Sequence, residues 1–354
     1  MRTSACHPPR RRLAACAALL AWSVVTPPLC FAAGAATITA VDSVALTVSD
    51  MDRAVEFYSQ VLNFQRVADR EIAGEPYEHL FGVFGLRVRA VRMRLGDEYL
   101  ELLQFLVPRG RPIPVDSQSN DRWFQHIAII VSDMNAAYAR LRSFKVAYAS
   151  SGPQRLPDWN PVAGGIEAFY FHDPDGHTLE VLSFPAGKGL AKWHTHDGRL
   201  LLGIDHSAIV VADTDASLKF YRDVLGLRIA GSSENYGTEQ EHLNNVFGAR
   251  LRITSLRAEH GPGIELLEYL TPRTGRPLPA DTQPDDLWYW QINLCTEALA
   301  ALETSLHVVH APFLGAHPIE LTGAQLGWRA GLITRDPDGH ASLIGNAPQC
   351  TRTW

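Results

Sequence analysis

Four side chains in the middle of this 354-residue chain could together hold a divalent metal. They are His126 in WFQHIAIIV, Glu180 in DPDGHTLEVLSF, His206 in GIDHSAIVVAD and Glu265 in GIELLEYL. Imidazole and carboxylate donors suit iron, manganese, nickel or zinc. Two of each leave room on the ion for a substrate that binds through two oxygens, where the ion stabilises developing negative charge. Any one of these glutamates alone reads as a surface carboxylate at a strand edge, and it is the matched set that carries the metal reading. Each histidine opens an apolar run and each glutamate lies in a later one, so the elements that must position them are strands.

Those strands belong to a repeat. VDSVALTVSDMDRAVEFYSQVLNF, from Val41, realigns on IDHSAIVVADTDASLKFYRDVLGL, from Ile204. EHLFGVFG matches EHLNNVFG, YLELLQFLVPRGRPIP matches GIELLEYLTPRTGRPLP, and HDPDGHTLE matches RDPDGHASL in nearly the same register. Two modules follow, 41–185 and 203–347, with PAGKGLAKWHTHDGRLL between them as a linker over 186–202. The His194/His196 pair in that linker reads as solvated, because a structural site needs four ligands.

Within each module a smaller unit recurs twice, a strand, a capped helix and three short strands. The helical stripes are Ala54, Phe57, Tyr58, Val61 and Leu62, then Met134, Ala137, Tyr138 and Leu141, then Ser217, Phe220, Tyr221, Val224 and Leu225, and a sparser Leu299, Leu302 and Leu306. The expected fold class is therefore α+β, with four βαβββ units. His177 and His340 follow tight Asp-Gly turns and read as exposed turn residues. Glu78-His79 and Glu241-His242 recur in the two modules and read either as caps over a cavity or as inherited packing.

The N-terminus stands apart. Arg10, Arg11 and Arg12 precede the apolar run 13–25, and the small residues Ala32, Ala33, Gly34, Ala35 and Ala36 follow. This is the pattern of a secretory signal peptide over 1–35, which places the mature protein in the periplasm or outside the cell. Its loss would take Arg2 and the three clustered arginines away and move the net charge from −6 to −10. An acidic chain without basic runs does not suit nucleic acid or an anionic membrane, so a small molecule is the expected partner. Cys295 and Cys350 would remain, and with Cys295 inside a strand no structural bridge is expected. The sequence leaves the oligomeric state open.

The strand-to-helix run ending in FYRDVLGL, the ELLEYL strand, the QHIAI strand and DPDGHTLEV, in this order and at even spacing, resemble the vicinal oxygen chelate superfamily. That family includes glyoxalase I, extradiol dioxygenases and bleomycin resistance proteins. The resemblance covers essentially the whole mature chain. It implies curved mixed sheets in two modules, with each unit offering one ligand from its first strand and one from its last. Carried over unit by unit, the ligand positions are Ser43 and Glu101, His126 and Glu180, His206 and Glu265, and Gln291 and Leu343. Units two and three keep both ligands, whereas units one and four have lost theirs in part. One complete metal site therefore forms if unit two pairs with unit three, as in single-chain two-module glyoxalases. The resemblance further implies a glyoxalase-like isomerase or lyase, with Glu180 as the favoured base and Glu265 opposite it.

Two alternatives stand beside this reading. Tyr170 and Glu180 in FYFHDPDGHTLE match an extradiol dioxygenase, but the histidine expected near 161–163 is absent. Resistance proteins bind drugs in aromatic clefts without metal, and Trp123, Trp159, Trp288, Trp290 and Trp328 could serve that end. Trp123 and Trp288 occupy equivalent repeat positions and read as core or rim packing.

Overall fold

In the computed structural model the described residues are Met1, 37–195, 197–315, 318–321 and 325–347. The expected signal peptide, His196 and Cys350 lie outside them. Ala35–Trp354 forms one compact unit.

The chain builds the four expected units. The first comprises β1 (Ala40–Thr47), α1 (Met51–Gln60), β2 (Gln65–Ala73), α2 (Glu75–Phe81), β3 (Arg87–Leu95) and β4 (Glu98–Val107). The second has β5 (Gln125–Val131), α3 (Met134–Ser143), the two-residue strands β6 (Ala147–Tyr148) and β7 (Gln154–Arg155), β8 (Glu167–His172) and β9 (Thr178–Ser183). The third has β10 (Leu201–Val211), α4 (Thr214–Leu218) with a π-helical turn over Lys219–Val224, β11 (Arg228–Tyr236), α5 (Thr238–Asn244), β12 (Arg250–Arg257) and β13 (Gly263–Thr271). The fourth has β14 (Trp290–Cys295), α6 (Leu299–Val308), β15 (Ile319–Glu320), β16 (Ala330–Arg335) and β17 (Ala341–Asn346).

Asp50, Asp133 and Asp213 cap the first three principal helices by accepting backbone N–H bonds, for instance 3.0 Å from Arg53 and 2.9 Å from Ala136. Each such cap contributes about 1 kcal/mol. Helices α2 and α5 go beyond the one-helix-per-unit pattern. Each starts after a positive-φ glycine, Gly74 or Gly237, and stops at a left-handed residue, Gly82 or Asn245. A seven-residue helix is too short for an apolar stripe to announce itself in sequence.

The strands form two mixed sheets, and neither module closes on itself. One sheet runs β15-β16-β17-β14-β1-β4-β3-β2, joining units four and one. The other runs β11-β12-β13-β10-β5-β9-β8-β6, with β7 on β8, joining units three and two. The joints are antiparallel pairs, β1 with β14 and β5 with β10. The helices lie against the outer faces: α1 and α3 share one apolar core through Tyr58, Leu62, Met134 and Leu141, and Tyr221, Leu225, Leu302 and Leu306 share another.

Long loops cross between the modules in a symmetrical pair. Arg111 grips Asp286 through Nη2 at 2.7 Å, and Arg276 grips Asp121 at the same distance. Each guanidinium also lies over an indole, Arg111 on Trp288 and Arg276 on Trp123. Both tryptophans are buried, so they pack as expected. Cys295 differs from expectation: it is disulfide-bonded, and the other four cysteines lie outside the described residues.

Candidate metal centre

Strand register brings the four sequence-derived ligands onto one face of the second sheet. His126 on β5 stands opposite Ala208 on β10, which stands opposite Glu265 on β13. One row along, His206 on β10 faces Ala128 on β5, which faces Glu180 on β9. Paired residues point to the same face, as do residues two apart on a strand. All four side chains therefore converge above Ala128 and Ala208, whose methyl groups leave space between them.

The distances bear this out. His126 Nε2 lies 3.2 Å from Glu180 Oε2, and His206 Nε2 lies 3.7 Å from the same oxygen and 3.4 Å from Glu265 Oε2. The two imidazole centroids are 5.8 Å apart. His126, Glu180 and His206 present donor atoms within 4.8 Å of one another and are all buried. Glu265 flanks this triad: its side chain is 20% exposed against 4% for Glu180, and its Oε1 accepts a hydrogen bond from Ser255 Oγ.

The donor set fits a divalent ion on an observation independent of residue type. Both ring nitrogens of His126 are buried without a hydrogen bond among the described residues. A buried imidazole so left pays a desolvation cost that a metal on one nitrogen would remove. His206 tells the same story from the charge side. Burial opposes its protonation, yet Glu265, Asp205 and Glu180 outweigh burial and push it up to about 9. These carboxylates favour positive charge at this place, which the imidazolium supplies here and a metal would supply when bound.

Residues that the sequence reading did not single out orient His206. Its Nδ1 meets Asp205 Oδ2 at 3.0 Å. Asp205 is held in turn by Arg257 Nη2 at 2.7 Å and by Trp193 Nε1 at 2.8 Å. Burial opposes the Asp205 charge, but His206 and Arg257 hold its pKa below the usual carboxylate range. Trp193 comes from the linker, which is therefore a strap: it lies over Gly203, where a Cβ would fall 2.9 Å from the indole. The recurrence of Asp205 and Arg257 as Asp42 and Arg94 in the first module was the signal for the first two; Trp193 left none.

The equivalent place on the first sheet is filled. Ser43, Glu101, Gln291 and Leu343 occupy the corresponding register, with Ala45 and Asn293 where the second sheet has Ala208 and Ala128. Arg92, which faces Glu101 on β3, enters this space and bonds Glu101 Oε1 at 2.6 Å and Asp42 Oδ2 at 2.9 Å. A chain from Tyr289 through Gln291 and Asn293 to Ser43 completes the filling. On the second sheet the counterpart of Arg92 is Ser255, which faces Glu265. A guanidinium thus supplies in one sheet the positive charge that a metal would supply in the other.

The ligands open onto a cavity of about 130 Å³, lined also by Tyr170, Leu182, Asn235, Gln240 and Leu243. Tyr170 packs its ring 4.8 Å from that of His126, and burial followed by the nearby Glu180 charge keeps its hydroxyl protonated. On α5 it is Gln240 and Leu243, not Glu241 and His242, that reach the cavity. A larger cavity of about 520 Å³ at the module junction, lined by Trp123, Trp288 and Trp290, contains none of the four ligands. The smaller one is the candidate chemical site, because the potential donor atoms are there.

His177 and His340 are buried, contrary to their reading as exposed turn residues. His177 joins Asp173 Oδ2 at 2.8 Å to the Leu287 carbonyl at 2.7 Å, and His340 joins Asp336 Oδ2 at 2.9 Å to the Arg122 carbonyl at 2.7 Å. Both are cross-module clasps. The partner carbonyls come from loops 110 or more residues away, which sequence spacing does not reveal.

The model of the Glyoxalase/Bleomycin resistance protein/Dioxygenase superfamily matches residues 40–181 and 203–310. The chain is 33% identical over 153 residues to a 2-epi-5-epi-valiolone epimerase of Actinomyces sp., covering 42% of this chain and 81% of that protein. It is 26% identical over 223 residues to a lactoylglutathione lyase of Arabidopsis thaliana, covering 63% of this chain and 66% of that one. Its fold is similar to that of glyoxalase I from Zea mays, with a TM-score of 0.55 and 15% identity over 87% of this chain and 92% of that structure.

Proposed function

Because the chain belongs to the Glyoxalase/Bleomycin resistance protein/Dioxygenase superfamily, we propose that it is an isomerase, epimerase or lyase acting on a small hydroxy-carbonyl compound or thiol adduct. His126, Glu180, His206 and Glu265 would hold one divalent ion in this reading. The observation that carries it is the convergence of these four side chains from two modules, with the nitrogens of His126 making no hydrogen bond among the described residues. A bound ion would grip two vicinal oxygens of the substrate and draw off the negative charge formed when a neighbouring C–H is broken.

The chain's own groups divide the remaining work. Glu180 lies between both imidazoles and is the more deeply buried carboxylate, which suits a permanent ligand. Glu265 stands at the edge of the triad, so its Oε2 is the better placed atom to take the proton and return it. In this reading the base is Glu265, and Glu180, the residue favoured by position in the sequence, stays a ligand. Ser255 holds the other oxygen of Glu265 and sets its direction. The relatives support proton-transfer chemistry, since those named are an epimerase and lactoylglutathione lyases. The positions where an extradiol dioxygenase would need a histidine present Val162 and Ala163 to the cavity. The arginine-led apolar N-terminus supports export to the periplasm or medium.

Metal-loaded protein in D2O should wash deuterium into the carbon next to the carbonyl of a hydroxyketone, and Glu265→Gln should slow this by about 10²- to 10⁴-fold. Oxygen uptake on catechols, without such exchange, would overturn the proposal in favour of a dioxygenase.

A further inference from the structure

The charges around the metal cavity narrow what can enter it. Of the described residues lining it, the ionisable ones are the four proposed ligands, Asp205 and Tyr170, with no lysine or arginine among them. Glu180 and Glu265 would neutralise a divalent ion, and Asp205 is already neutralised by Arg257 at 2.7 Å. Among the described residues no positive charge is left in the lining for a phosphate or carboxylate on the substrate, and burying such a group beside two glutamates without a partner is costly.

What the cavity does offer is hydrogen bonding. Ser232, Ser233, Asn235 and Gln240 line it. Asn235 Oδ1 accepts from Asn160 Nδ2 at 2.8 Å, which leaves the Asn235 NH2 uncommitted among the described residues. Gln240, only 2% exposed, shares one polar atom with Asn244, and its Oε1 has no partner among the described residues. Turning both amides over together keeps this bond and leaves Nε2 in place of Oε1 without a partner, so in either assignment one buried polar atom of Gln240 has none among the described residues. The volume, about 130 Å³, is close to the roughly 150 Å³ that admits one six-membered ring. A glutathione adduct, a tripeptide with free carboxylates, does not match the charge of this lining.

We propose that the substrate is an uncharged, polyhydroxylated hydroxy-carbonyl compound about one ring in size, selected by a hydrogen bond between one of its hydroxyls and Gln240. This rests on the metal-site reading above and adds the substrate class to it.

The test uses the full-length protein loaded with manganese, whose effect on water-proton relaxation falls when a chelating ligand displaces bound water. Three probes are compared: an inosose, which is a polyhydroxylated cyclic ketone; 2-hydroxycyclohexanone, which keeps only the chelating pair; and dihydroxyacetone phosphate. The inosose is expected to bind at least about tenfold more tightly than the phosphate. Gln240→Leu should weaken the inosose by about tenfold, the size of one neutral hydrogen bond, and leave 2-hydroxycyclohexanone unchanged. The phosphate binding as well as the inosose, or Gln240→Leu weakening both ketones alike, would overturn the inference while leaving the metal site standing. A protein that takes up no manganese would overturn the metal-site reading and this inference with it. The wild-type comparison of inosose and phosphate decides the matter even if the variant does not fold.

Discussion

At the scale of single residues, the candidate site depends on groups that are not themselves the proposed ligands. Asp205 fixes His206 through Nδ1 and is itself pinned from the protein side by Arg257 and Trp193. A carboxylate behind a ligating histidine orients the ring and raises its donor strength, so Asp205→Asn should lower metal affinity by about 10- to 100-fold, read by competition with a chromophoric chelator. No change would mean that His206 is held by packing alone. Arg92 plays the opposite part, a cation built into the other sheet. Arg92→Ser would leave Asp42 and Glu101 buried together and should cost about 3–5 kcal/mol in chemical denaturation, with metal content unaltered. A loss of metal in that variant would show that the first sheet also takes part in binding.

At the scale of elements, strand alternation made the shared face of His126, Glu180, His206 and Glu265 legible in the sequence, because matched polar residues in matched apolar runs must share a face once the runs pair. Three of the four principal helices were equally legible from their stripes and Asp caps. Helices α2 and α5 were not, because seven residues hold too few turns to show a period. Gln240 was lost with α5, and Trp193 was lost because its loop has no period at all. The two DPDGH turns were misread for a related reason: their buried partners lie across the module boundary. Burial opposes protonation of His177 and His340, but Asp173 and Asp336 outweigh it and raise both. The aspartates, whose charge burial also opposes, are lowered by those imidazoles. The histidine contribution to stability is full below the unfolded value of about 6.5 and is lost as pH rises through the raised value. The aspartate contribution is full above about 3.9 and is lost as pH falls through the lowered one. Unfolding free energy should therefore be greatest between these limits and decline on the alkaline side. Asp173→Asn/His177→Gln should make that decline shallower, and an unchanged slope would rule the clasps out as its source.

At the scale of the whole molecule, a duplicated chain pairs its units across the repeat. Units two and three face each other with both histidines and both glutamates, while units one and four face each other over a guanidinium. The arginine clasps at Asp286 and Asp121 and the His177 and His340 bridges tie the modules together around that arrangement. Metal stoichiometry of the purified protein, measured beside His126→Ala, His206→Ala and Glu101→Ala, tests this division most directly. One ion per chain, lost in both histidine variants and kept in Glu101→Ala, is the predicted result. Two ions per chain, or a single ion that survives His206→Ala and disappears with Glu101→Ala, would contradict it.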